Sequence, residues 1–272
     1  MFGYGLDLLP DFGYPPVQYG GWTSEKANWY RQTAAHNTVM VDGTNDVGYE
    51  GKECVGSIDH WHVEDGLQYV TASCPDMTGV SKFSRTCALV DISEEAFFII
   101  DIFRVKGGQD HRRVLHSHFG SISTQGLELK SSPDLFENSC LRNYKADLYP
   151  QPGWSIDWAI EDRLGYLETD VDLHLRMIDL TADAQAWNCE GWITYGGYCP
   201  SEEAWIPFNI TRRKSDTPDL ESTFVSVIEP YRDKSNILSA NCINTNPDFT
   251  TVEVRLMTGN LKTISLPTCT AQ

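Results

Sequence analysis

No stretch of the 272 residues is apolar for long enough to cross a membrane, and residues 1 to 20, rich in Gly, Pro and Tyr, lack the pattern of an export signal. Positive charge is scarce: 21 Lys and Arg stand against 38 Asp and Glu, a formal net charge of −17. Nucleic acid and anionic membranes reward the opposite sign, so neither is expected as a partner. The eight cysteines never fall in a Cys-x-x-Cys pair, which excludes a zinc ribbon. Nowhere does helical periodicity persist over a convincing length, and no internal repeat is visible, so bundles and solenoids drop out.

Aromatic residues are plentiful: eight Trp, twelve Tyr and eleven Phe, types that favour strands and sugar-binding surfaces. From residue 33 the chain reads as strands at 33–42, 58–63, 67–73, 83–91, 95–105 and 111–120, separated by turn signals at Asp42-Gly43, Asp65-Gly66 and Gly107-Gly108. The run Ala96–Phe103 is apolar on both faces and predicts a central strand covered from both sides, within which Asp101 needs a partner. Residues 131–165 predict a long loop with edge strands, including Trp154–Trp158. The alternation of Val171, Leu173, Leu175 and Met177 predicts a half-buried strand. Residues 182–222 read as loop, followed by closing strands at 223–229, 237–241, 251–257 and 261–266. The expected fold class is all-β, a large antiparallel multi-sheet β-sandwich spanning 33–272, entered by an extended lead-in over 1–32.

Chemistry concentrates in Thr33–Gly43, where period-two alternation predicts a half-buried strand that aims His36 rigidly. His60/His62 and His116/His118 are His-x-His pairs that share a strand face: either metal pairs or plain edge-strand histidines. Two basic groups, Arg104, Lys106, His111, Arg112 and Arg113, and then Arg212, Arg213 and Lys214, are either solvated loops or the local patch that an acidic ligand needs on so acidic a molecule. Cys189 and Cys199 bracket a segment that a disulfide can close, which fits an oxidising compartment. Asn209-Ile-Thr211 is a glycosylation sequon.

Three segments resemble one family in order: Trp22–Tyr30 with Thr33–Gly43, then Arg85–Gly108, then Thr223–Tyr231. They resemble the C-terminal β-sandwich of the heparinase II/III-like polysaccharide lyases, a group that includes alginate and oligoalginate lyases. The resemblance implies β-elimination on a uronic-acid polysaccharide. A base takes the proton beside the carboxylate, a neutralising group spreads the charge, and an acid protonates the departing oxygen. It implies His36 as the catalytic residue, Trp22, Trp29, Tyr30 and Asn37 as substrate-binding residues, and a secreted or periplasmic location. Some members carry two histidines here, one for substrate and one for a structural zinc. The earlier position is Ala34 in this chain, so His36 is either the substrate-facing group or a zinc ligand, with Cys54 and Cys74 near the other ligand positions. A disulfide between Cys54 and Cys74 explains the same residues. The family's tyrosine and its neutralising Asn or His belong to a helical toroid that precedes the sandwich, so the partners are an acidic polysaccharide and that toroid, without which the chain is half a site. The alternative is a non-catalytic carbohydrate-binding sandwich with an aromatic platform away from His36.

Overall fold

In a computed structural model, residues 1–45, 56–74, 79–137, 139–169, 171–194, 203–246 and 248–268 are described. The first half of the chain forms β1 (Phe2–Gly3), β2 (Leu6–Asp7), the helix α1 (Glu25–Trp29), β3 (Val39–Val41), β4 (Ser57–Glu64), β5 (Leu67–Ser73), β6 (Lys82–Asp91), β7 (Phe97–Lys106), β8 (Asp110–His116) and β9 (Gly120–Gln125). The second half forms β10 (Lys130–Ser131), β11 (Leu141–Asp147), β12 (Trp154–Ile160), β13 (Leu173–Asp179), β14 (Gln185–Thr194), β15 (Glu203–Lys214), β16 (Glu221–Arg232), β17 (Ile237–Thr245), β18 (Phe249–Leu256) and β19 (Leu261–Pro267). All pairings are antiparallel.

An eight-stranded sheet, ordered β4-β5-β6-β7-β16-β13-β12-β9, is the middle layer. On one face Ile100, Ile102, Val225 and Val227 pack against Val252, Val254 and Ile264 of the three-stranded sheet β17-β18-β19. On the other, Ile156, Trp158, Leu175 and Met177 meet Leu115 and Ala186 of the six-stranded sheet β10-β11-β14-β15-β8-β3. Covering both faces explains why β7 lacks alternation and why its core needs large apolar residues on each side. As the sequence requires, Asp101 has a partner: Arg85 on β6 grips it at 2.7 and 3.1 Å.

Two long strands, β14 and β15, stand where loop was expected between 182 and 222. Their pattern is hidden by polar residues that face the interior. Asn209 is buried and donates from Nδ2 to Trp187 O and Asn188 Oδ1, so the sequon is a core position and not a glycosylation site. Gly191 reads as a strand breaker, yet it is needed because a Cβ there would run into the Phe208 ring. Cys189 is a free, buried thiol on β14, so the expected Cys189–Cys199 loop does not form; Cys199 lies outside the described residues.

Most residues of the basic groups lie on strands and are paired there instead of forming solvated loops. Arg113 is buried against Asp179 at 3.1 Å, and Arg112 and Arg212 share Asp110 at 2.7 Å each. Arg104 is buried and donates to Thr250 Oγ1 at 2.5 Å. Arg113 and Asp179 thereby tie the six-stranded sheet to the eight-stranded one, and Asp110 with Arg212 ties β8 to β15 within the six-stranded sheet.

The lead-in is not extended throughout. Ser24 accepts from Ala27 N and caps α1, which swings Trp29 into the core beside Phe208 and Ile210 on the outer face of the six-stranded sheet. Among the described residues no helix is long and apolar enough to cross a membrane.

Candidate active site

The segment expected to be one strand over 33–42 is a 3₁₀ turn, Thr33–Ala35, followed by the short β3. Ala34 and Ala35 are small enough to be buried in the turn beside Trp29, and that packing overrides the alternation. Val39, Met40 and Val41 are all buried because β3 meets core on both faces. His36 therefore caps the turn instead of riding a strand.

Its Nδ1 lies 2.6 Å from Asp11 Oδ2, a partner that sequence reasoning missed because Asp11 lies 25 residues away in the Gly- and Pro-rich lead-in. The imidazole is 21% exposed and the carboxylate 64%. Burial pushes the Asp11 carboxyl up, but the Gly13 amide and His36 outweigh it and hold it below its ordinary range. An ionised Asp11 accepts from Nδ1–H, so that in the neutral ring it is Nε2 that carries the lone pair.

Asn37 is a structural rivet. Its Oδ1 accepts from His116 N at 2.7 Å, its Nδ2 donates to Pro10 O at 3.2 Å, and its carbonyl accepts from Arg85 Nη1 at 3.0 Å. With its amide committed to backbone groups, it holds the lead-in and β8 together rather than offering an open contact to substrate. Trp29 is enclosed, with Nε1 donating to Trp192 O, so it supports the site from within the core. Tyr30 is mostly buried; its hydroxyl accepts from Thr194 N at 3.1 Å, and burial pushes its phenol up to about 12. Trp22 is 51% exposed, edge-on to Tyr14, with the Arg31 guanidinium above its ring.

Asp11 and Tyr30 line a groove of 360 Å³ together with Phe12, Tyr14, His118 and Phe119. Burial lowers the His118 pKa, which keeps a neutral imidazole in the groove wall. His116 and His118 do not form a metal pair. His116 ends β8 and lies stacked on Phe208 with Phe12 tilted against it, its two ring nitrogens facing Ala35 O and Ser117 O. Its pKa is lowered to about 4, chiefly by burial. The folded state thus binds fewer protons than the unfolded chain, and stability is complete above pH ~6.5 and lost as pH falls toward 4. Between pH 7 and 5 this one group is expected to cost about 2 kcal/mol in urea unfolding, a loss that His116→Phe removes. An equal pH slope in that variant would show that His116 stays solvated.

His60 and His62 stand on the edge strand β4, and His62 Nε2 lies 3.4 Å from Glu64. Cys74 is in a disulfide, so its sulfur has no thiolate charge to offer zinc; Cys54 lies outside the described residues. With Cys74 so committed, the described residues are a poor fit to the expected zinc set. Among them no group of three His, Cys, Asp or Glu side chains is placed to hold a metal. The third resembling segment lies on β16, where Tyr231 donates to Asp157 and Glu229 accepts from Ser235 and Asn236 N.

A family model described as "Heparinase II/III-like, C-terminal" matches residues 1–160. An alginate lyase of Stenotrophomonas maltophilia (strain K279a) is 25% identical over 181 residues, 60% of this chain and 24% of the relative. A heparin-sulfate lyase of Bacteroides stercoris is 27% identical over 157 residues, 55% of this chain and 22% of the relative. Among solved structures, a heparinase III superposes with a TM-score of 0.64 at 18% identity, covering 96% of this chain and 34% of that one. The heparan sulfate lyase HepC from Pedobacter heparinus also gives 0.64, at 15% identity, covering 98% and 36%. At such identities the solved structures show the fold alone, and this chain spans about a third of their length. With a family match over more than half its residues, the chain belongs to the heparinase II/III-like polysaccharide lyases, as a C-terminal β-sandwich domain.

Proposed function

We propose that this domain forms one wall of the active site of a lyase that cleaves a uronic-acid polysaccharide by β-elimination, the other wall being a preceding helical toroid. The observation that carries this reading is the His36–Asp11 pair, whose carboxylate lines an aromatic groove. His36 Nε2 takes the proton from the carbon beside the uronate carboxylate. The electron pair left behind forms the new double bond, and the glycosidic oxygen departs with a proton from an acid on the toroid. Neutral His118 and the tyrosines of the groove offer hydrogen bonds to the sugar, and Trp22 and Tyr14 offer ring faces.

The disulfide at Cys74 supports a secreted or periplasmic protein. The rival, a purely binding sandwich, does not account for a histidine oriented by a carboxylate next to the groove that Tyr30 lines. The test is an assay of the whole protein on alginate, heparan sulfate and chondroitin, following the ultraviolet absorbance of the unsaturated product. Absorbance growing on at least one polymer is the expected result; none on any of the three overturns the proposal.

A further inference from the structure

The end of the sandwich away from His36 carries a second recess. Along β15, Phe208 pairs with His116 near the first groove and Lys214 pairs with Asp110. Six residues at ~3.3 Å each put these points about 20 Å apart. At the Lys214 end, hollows of 540 and 390 Å³ share Pro152, Ala182 and Asp183 as a common wall. Strand alternation sends Arg213 into the larger and Lys214 into the smaller.

The smaller hollow has an aromatic rim. Tyr149 is 85% exposed on the loop between β11 and β12. That loop is stiff: Asp147 accepts from Tyr149 N at 3.0 Å through one oxygen and from Glu128 N at 2.8 Å through the other, and Pro150 and Pro152 restrict the backbone. A ring mounted on a fixed backbone segment has only its two side-chain torsions to lose when a ligand covers it.

Charge points the same way. Interior arginines such as Arg85, Arg113 and Arg212 are neutralised by carboxylates. Arg213 instead donates from Nη1 to the Glu221 carbonyl at 2.7 Å. Among the described residues, neither it nor Lys214 has a carboxylate within ion-pair distance; Asp183 acts on Arg213 from further off. On a chain of net charge −17, two cations left over in adjoining hollows are a local exception. Asn241 and Asn244 line the larger hollow and present amides.

We propose that this recess is an accessory site for an acidic oligosaccharide, with one sugar ring stacked on Tyr149, its acid group held by Lys214 in the smaller hollow and the acid group of a neighbouring sugar held by Arg213 in the larger. It rests on the polysaccharide reading above and adds a second point of attachment, so that a long polymer is gripped at both ends of the domain.

The chain is titrated calorimetrically with a uronic-acid tetrasaccharide from alginate, with cellotetraose as a neutral control, and amide shifts are followed by NMR. Shifts are expected around Tyr149, Lys214 and Asn241, and Tyr149→Ala and Lys214→Ala are each expected to weaken that binding about tenfold. Both variants are at the surface and should keep the wild-type unfolding midpoint. No binding, shifts confined to Asp11, His36 and His118, or equal affinity for cellotetraose would overturn the site. Retained Tyr149-dependent binding in a whole protein that yields no unsaturated product rejects the lyase reading and leaves the recess standing.

Discussion

Replacing His36 by alanine in the whole protein is expected to lower elimination by about 10²–10⁴-fold, the usual contribution of a positioned base. The loss should appear in kcat with KM little changed, because the lone pair acts on the proton in transit and not on the bound sugar. Asp11→Asn should be milder, on the order of 10–100-fold, since the imidazole remains but loses the group that sets its tautomer. Neither side chain is deeply buried, so unfolding midpoints should stay near wild type. Unchanged product formation by His36→Ala would take His36 out of the mechanism. Losses confined to KM would assign it to binding alone.

Arg85→Met is expected to cost about 3–5 kcal/mol, the range for breaking a buried ion pair from one side. The pair is bidentate, Asp101 is almost inaccessible, and the same guanidinium reaches Asn37 O at 3.0 Å. Without it, Asp101 is left as an unpaired carboxylate between two sheets, and the anchor of the His36 turn is lost. Removing both partners in Arg85→Met with Asp101→Leu should restore much of the loss, because no charge is then stranded. Urea midpoints of the two variants decide the matter: a single-variant cost below about 1 kcal/mol would mean that water reaches the pair.

Much of the middle layer is legible in the sequence. The bounds of β5 are those expected, β6 and β7 differ by one or two residues, and the demand that Asp101 be paired is met by Arg85, which the resembling segment already contains. What is hidden follows from packing that crosses the chain. β14 and β15 bury Asn188 and Asn209, and polar residues in a core look like loop until their partners are known. His36 could be singled out, but not Asp11, since nothing in a flexible-looking lead-in marks a carboxylate that will fold back onto it. Trp29 and Trp22, alike in sequence, part because only Trp29 lies on the buried face of α1.

The sheet order also sets a timetable. β7 borders β6 on one side and β16 on the other, where Asp101 pairs with Ser226. A ribosome adding ~5–20 residues per second needs on the order of ten seconds to make the intervening chain. Throughout that interval Phe98, Ile100 and Ile102 lie on an unpaired edge, where another unfinished chain can add to them. Pulse proteolysis of stalled nascent chains should find β6 and β7 cleavable until β16 has left the exit tunnel, and protected afterwards; early protection would mean that the half-made sheet is already stable. The domain is therefore most vulnerable to aggregation during its own synthesis.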